Sequence, residues 1–420
     1  MRRDIVIIFA IIVENAWCAD YEHVIKNGVQ RIGFGSCNKQ YKEQPMWDVV
    51  GKPDAWFWTG DVVYPNSSDV SALEAALQEQ RERKEYVKFA KEISILDGTW
   101  DDHDLGINDA GKNTQDLERR LLAYVNFLRP YNNNREKREE KRARLAIERR
   151  GAYCSHLFTS TLKNEVVFIL LDTRSFRDDH FIPSVGAMFR NIPIIGRFMP
   201  LVASATRLLA AFFTRIFNFQ GDILGEDQWL WLEETLQNHS AQFVFIVSSI
   251  QFATSNPSFE SWQHFPKAKR RFLQLLAHTK PNGLLLISGD VHHAEFSAQS
   301  KYLYSQTTTT TNNNYSPFFP EVTSSGLTHT LATSKLTRIL FPPLLAFFRS
   351  HRLHPNDYST ELNFGQIDFD WQHKPQPAAR ITVRGKHNNL VLRPLDLLSL
   401  PYGNFSASFS QDNDPTTCES

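Results

Sequence analysis

Positions 101–104 read Asp101-Asp102-His103-Asp104, three carboxylates and an imidazole in four consecutive places. Hard carboxylate oxygens beside a borderline imidazole nitrogen suit a divalent or trivalent metal ion. The cluster follows the apolar Ile93-Ser94-Ile95-Leu96 and then Thr99-Trp100; Gly106, Asn108 and Asp109 come just after it. An apolar run that ends in polar residues reads as a strand with chemistry at its C-terminal end, the usual place in α/β proteins. A charged turn capping a strand has the same composition, so these four residues alone do not choose between capping and metal binding.

The same form recurs along the chain. Ile32-Gly33-Phe34-Gly35 runs into Ser36-Cys37, and Ala55-Trp56-Phe57-Trp58-Thr59 runs into Gly60-Asp61. Tyr64 follows Asp61 within one turn, so both side chains can reach one ion. Val166-Val167-Phe168-Ile169-Leu170-Leu171 ends in Asp172-Thr173-Arg174. The run over 242–248 ends in Ser248-Ser249, and the run over 283–288 ends in Gly289-Asp290-Val291-His292-His293. Continuous apolar runs are expected of strands buried on both faces. Each candidate also has a plain structural reading. Cys37 can be a buried thiol, Tyr64 a packed ring, His293 a support for His292, and Arg174 and Arg177 surface ion pairs. Placed together at strand ends, they read better as one site.

The elements that must position these residues are partly visible. The pattern predicts helix over 70–89 and over 117–127, where Leu121, Leu122, Val125 and Leu128 share a face. Residues 135–150 predict an exposed helix, since Glu alternates with the basic residues. Strands alternating with helices indicate a layered α/β fold. Two apolar stretches depart from this plan. Residues 182–219 carry Arg190, Arg197, Arg207 and Arg215; residues 331–348 carry Lys335 and Arg338. Their Phe and Leu content predicts that they pack against each other and cover one side of the site's mouth, with Arg190, Arg197 and Arg207 at the rim. Contact with a membrane surface is the alternative, with cations at the interface and apolar side chains inserted. Residues 307–314 are a low-complexity Thr/Asn run expected in a surface loop, and 406–420 read as a disordered tail.

Composition bounds the rest. The 420 residues suffice for one large domain with insertions, expected over 28–400, with insertions at about 180–220 and 305–355. Formal net charge is zero, so no nucleic-acid partner is expected. Residues 1–19 read as a signal peptide: Arg2 and Arg3 precede a short apolar segment, and Ala16 and Ala19 lie near its end. Asn66, Asn238, Asn314 and Asn404 begin glycosylation triplets, which fits a secreted protein or an endomembrane lumen. Removal of the leader leaves Cys37, Cys154 and Cys418, an odd number that argues against a disulfide framework.

Gly-Ser-Cys at 35–37, Gly-Asp-x-x-Tyr at 60–64, the Trp100–Asp109 stretch, Leu-Asp-Thr-Arg at 171–174 and Ser-Gly-Asp-Val-His-His at 288–293 occur in fixed order. Gly225-Glu226-Asp227-Gln228-Trp229 and Ser248-Ser249-Ile250-Gln251 accompany them. In combination they resemble the PhoD-like (alkaline phosphatase D) metallophosphatases of the calcineurin-like phosphoesterase superfamily. The resemblance spans Arg31 to Phe296 and resumes at Asn363-Phe364-Gly365, which is similar to the family's closing strand. No counterpart is seen for 182–219.

The resemblance implies a four-layer α/β fold, a ββ-sandwich flanked by helices. It implies an iron(III) site held by Cys37, Asp61, Tyr64 and His292. Asp61 would bridge to calcium served by Asp102, Asn108 and Asp290. Thiolate and phenolate suit iron(III), and carboxylate and amide oxygens suit calcium, so ligand chemistry gives the same division. It further implies a phosphatase or phosphodiesterase acting on phosphate esters through a hydroxide activated by the metals. His103 would meet the phosphate or protonate the leaving group, and Arg174 and Arg177 would clamp the phosphate. The competing expectation is a protein that binds metal or phosphate, or a membrane surface, without turnover.

Overall fold

In the computed structural model the described residues are 19–106, 108–129, 131, 136–182, 193–299, 319–402 and 407–409. The expected leader (except Ala19), Asn314, Asn404, Cys418, Arg190, the 307–314 run and nearly all of the 406–420 tail lie outside them.

Two sheets stack face to face. One has the order β1 (Tyr21–Val24), β5 (Cys154–Thr159), β6 (Glu165–Leu170), β7 (Phe243–Val247), β8 (Leu284–Ser288), β10 (Phe319–Ser324), β9 (Ala294–Gln299), β11 (Tyr358–Ser359). The other runs β15 (Ala407–Phe409), β14 (Leu395–Leu398), β13 (Ala378–Arg384), β12 (Phe364–Asp370), β2 (Arg31–Gly35), β3 (Ala55–Thr59), β4 (Ile95–Thr99). β2, β3 and β4 pair in parallel, as do β6, β7, β8 and β10. Parallel pairing puts the C-terminal ends of these strands on one side, as the apolar runs ending in polar residues require. The strand expected at 363–365 is β12, which closes antiparallel on β2.

The apolar runs are buried because both faces of each sheet are covered. Between the sheets Phe34, Phe57, Phe168, Phe245, Phe296 and Ile367 belong to one cluster, with the Phe57 and Phe168 rings stacked at 4.8 Å. Truncating such a ring to Ala costs about 3–5 kcal/mol. The outer face of the second sheet packs Trp56 and Trp58 against α1 (Met46–Val50), α2 (Val70–Glu82), α3 (Lys84–Glu92) and α4 (Leu117–Phe127). The outer face of the first packs Val244, Ile246 and Leu286 against α7 (Gly225–Gln237) and α8 (Pro266–Thr279). The expected four layers are therefore present.

Three local differences have physical causes. The helix expected over 70–89 is two helices, because Arg83 turns extended (φ −60°, ψ 123°). The 305–355 segment, expected to be an insertion, contains β10, a buried strand between β8 and β9; its residues mix Pro, Glu and Ser with the apolar ones, so no apolar run announces it. The two apolar stretches do form helices, α6 (Pro193–Ile216) and α9 (Lys335–Phe347), and α5 (Glu136–Arg149) matches the charge-dense helix. Leu201 of α6 packs against a cluster that includes Phe341 and Leu345 of α9. Several other large apolar side chains of both helices stay exposed, contrary to the expectation of mutual burial. Arg207 is not a free cation at a rim either. It is partly buried and ion-paired to Asp109 at 2.5 Å.

Candidate metal centre at the strand ends

Cys37 follows β2, Asp61 follows β3, Asp101 and Asp102 follow β4, Arg174 follows β6, Ser249 follows β7, and Asp290 and His292 follow β8. The chain turns sharply at four of these positions. Cys37, Asp61, Asp290 and His292 all have positive φ, at 60°, 52°, 68° and 58°. Non-glycine residues rarely adopt that conformation, and clusters of it mark functional sites. Two glycines let the turns approach. Gly60 has φ 95°, and a Cβ there would lie 2.5 Å from Asp101 Cβ. A Cβ on Gly289 would strike Ser36 and come within 2.6 Å of the Thr59 carbonyl. Larger residues at either place would push the strand ends apart.

Cys37 Sγ lies 3.6 Å from Asp61 Oδ2 and 2.9 Å from Ser325 Oγ. Tyr64 donates its hydroxyl to Asp61 Oδ2 at 2.5 Å. The other Asp61 oxygen accepts the His103 amide at 3.3 Å. Ser325 Oγ also accepts the His292 amide at 2.7 Å, tying the β2 and β8 ends together. Ligand atoms of Cys37, Asp61 and His292 lie within 4.8 Å of one another, as do those of Asp61, Asp101, Asp102 and Asp290, and those of Asp61, Asp102 and His103. Asp61 belongs to all three groups.

Charge in the site is out of balance. Arg174 donates to Asp101 Oδ1 at 2.5 Å through Nε and to Glu260 at 2.9 Å through Nη1. It therefore offsets only part of the negative charge around Asp61, Asp101, Asp102 and Asp290. Burial, then the neighbouring Asp102 and Asp101, pushes the Asp61 carboxyl well up. Burial, then Asp101 and Asp102, does the same to Asp290. Burial and the Asp61 charge push up both the Cys37 thiol and the Tyr64 phenol. Burial drives His292 down to about 3, leaving a neutral imidazole able to offer a lone pair. Asp102 goes the other way: burial raises it, but His103 and Arg174 outweigh burial. Buried Asp101 Oδ2 and Asp102 Oδ1, both acceptors, find no hydrogen-bond partner among the described residues. Buried polar atoms left unpaired beside an excess of carboxylates fit bound cations, whose charge would hold the acids ionised.

The expected residues are not all placed alike. The Tyr64 and His103 rings lie 4.1 Å apart, tilted by 33°, and the His103 side chain is 14% exposed, the accessible edge of the cluster. Arg174 is wholly buried, with Nη2 as its nitrogen lacking a partner. Arg177 is also buried. It donates to the Asp109 and Ala110 carbonyls and so holds the loop that carries Asn108. His293 turns away from the cluster, to the Val291 carbonyl at 2.9 Å and towards Glu295.

Three further residues join the site without having stood out in the sequence. Glu260 joins Arg174, Arg177 and His180. Ser325 links Cys37 to His292. His329 faces the His292 ring at 4.4 Å and the Tyr64 ring at 4.9 Å. Ser325 and His329 lie in the segment expected to be an insertion, and Glu260 sits in a polar loop without periodicity. A lone glutamate between aromatic residues was the sole signal, and it is weak.

The comparisons with known proteins agree with this architecture. The family model for PhoD-like phosphatase matches residues 15–373. Alkaline phosphatase D of Bacillus subtilis (strain 168) is 23% identical over 319 residues, covering 69% of this chain and 47% of the relative. The chain thus spans about half the length of that curated relative. A solved structure of PhoD superposes with a TM-score of 0.53 at 15% identity, over 92% of this chain and 69% of that one, which shows the shared fold.

Proposed function

The chain belongs to the PhoD-like phosphatase family, and from that premise we propose that it is a metal-dependent hydrolase of phosphate esters. The observation that carries the reading is buried Asp61, shared by three ligand groups at converging strand ends. Cys37, Tyr64 and His292 with Asp61 would hold iron(III). Asp102, Asn108 and Asp290, again with Asp61, would hold calcium; Asp101 adds a carboxylate oxygen to that group. Bound cations would supply an activated water nucleophile and neutralise charge on the phosphoryl oxygens.

The chain's own groups do the rest. Arg174, fixed by Asp101 and Glu260, keeps Nη2 as an undonated N–H for a phosphoryl oxygen. His103, held against the Tyr64 ring at the accessible edge, delivers a proton to the leaving oxygen. Arg177 and Arg207 position the Asn108–Ala110 turn from below. The unpartnered acceptors argue against a protein that merely uses the cluster as a structural cap.

We place the protein in a secretory compartment, after removal of residues 1–19. Asn66 and Asn238 are exposed, as glycan acceptors must be.

Elemental analysis of protein purified without chelator, coupled to release of phosphate from an aryl phosphate, tests the reading. Iron with calcium and turnover is expected. Metal-free protein with turnover unaffected by chelator sinks it.

A further inference from the structure

Away from the metal centre, α6 is built inside out. Its inward side carries small or polar residues: Ala203, Ser204, Ala210, Ala211 and Thr214 are buried. Val202, Leu209, Phe212 and Ile216 line its outward side, Phe212 being 61% exposed. A surface helix ordinarily turns its apolar stripe to the core. On α9, Phe341 and Leu345 turn inward into the cluster against which Leu201 packs, while Ile339, Leu340 and Phe347 face solvent, Phe347 at 80%. Apolar exposure on this scale marks a surface of interaction.

Charge says what meets it. Residues 181–221 contain Arg190, Arg197, Arg207 and Arg215 and no Asp or Glu. Residues 322–356 contain Lys335, Arg338, Arg349 and Arg352 and again no Asp or Glu, in a chain of formal net charge zero. Arg207 and Arg352 are consumed by Asp109 and Glu295. Arg215, Lys335, Arg338 and Arg349 are exposed beside the apolar stripes. A second copy docked through the same faces would oppose like charges. No helix among the described residues is long and apolar enough to cross a membrane.

We propose that α6 and α9 dock the protein onto a bilayer surface containing anionic lipid. Phe212, Ile216 and Phe347 enter the headgroup–acyl boundary, and the cations meet lipid phosphates. The surface is rooted in the metal centre. Arg207 of α6 holds Asp109, next to Asn108. The cluster joining the two helices includes Val291, between Asp290 and His292. Docking therefore sets the site's orientation to the bilayer.

The test uses the full chain and vesicles of phosphatidylcholine with and without phosphatidylserine. Binding to the anionic vesicles should be at least about tenfold tighter, and should weaken with salt. Phe212→Glu with Ile216→Glu should lower binding about tenfold or more. Arg215→Gln should lower it about fivefold. All these variants should hydrolyse an aryl phosphate at the unaltered rate, which shows that they fold and separates this proposal from the reading of the site. Equal recovery with and without vesicles overturns it. So does self-association without lipid that Phe212→Glu abolishes, which would assign the surface to a second copy.

Discussion

Two clusters among the described residues contain the same three ligand types. Cys37, Asp61 and His292 meet at the strand ends; Asp97, Cys154 and His156 meet between the sheets. Distance alone favours neither. In the inter-sheet cluster, His156 Nε2 lies 3.1 Å from Asp97 Oδ2 and 3.6 Å from Cys154 Sγ. What differs is the surrounding charge and backbone. Asp97 is the single carboxylate of its group, and Arg142 donates to it at 3.1 Å. His23 takes up the other nitrogen of His156 at 3.0 Å. Its three members sit in ordinary strand conformation, absent from the positive-φ residues. The Cys37 group has left-handed turns and an excess of carboxylates. A cation would complete the charge balance at the strand ends and upset it between the sheets. Ligand types in reach of each other are therefore insufficient; an unmet charge is what distinguishes a site from a core network.

Substitutions can break this contrast. The largest effect is expected at Asp61. Asp61→Asn should empty all cation positions together and lower turnover about a thousandfold, several kcal/mol of lost stabilisation. Retained metal with normal turnover would show that Asp61 is not shared. Asp97→Asn should act on stability instead. It leaves Arg142 buried without its carboxylate, so denaturant unfolding should report a loss of about 3–5 kcal/mol, with metal content per folded molecule unchanged. Loss of metal in this variant would make the inter-sheet cluster another metal site.

The cysteines sharpen the comparison at smaller scale. Cys37→Ser exchanges a soft ligand for a poor one, so iron should fall more than calcium, and turnover should drop about 10–100-fold. A visible phenolate–iron(III) absorption band, expected from Tyr64, should weaken in parallel. Protein that is colourless yet active, with zinc or calcium alone, would refute the iron assignment. Cys154→Ser should cost less than about 1.5 kcal/mol, with kinetics and metal content as in the parent chain. A kinetic effect there would mean that the two clusters communicate.

Much of the fold could be read from the chain because its signals are local. The strands β2, β3, β6, β7 and β8 are apolar runs closed by polar residues, so their ends could be placed from a few positions. α4 matched its expected bounds, 117–127, since an amphipathic stripe depends on neighbours three and four apart. β10 escaped because Phe319-Pro320-Glu321-Val322-Thr323-Ser324 has no run; its polar side chains are buried on partners such as Phe252 and Ala253, whose amides Glu321 accepts. Ser325 and His329 escaped with it.

The sequence by itself determined which residues could do chemistry and at which strand ends they stand, because type and spacing within a turn are local properties. It also determined that 193–216 and 335–347 are apolar and free of acids. Tertiary structure alone decided three things. It committed Arg174 to Asp101 and Glu260, paired Arg207 with Asp109, and turned the apolar stripe of α6 outward. Each depends on contacts between segments tens to hundreds of residues apart. Periodicity states that a helix has two faces; only the packed neighbours determine which one meets water.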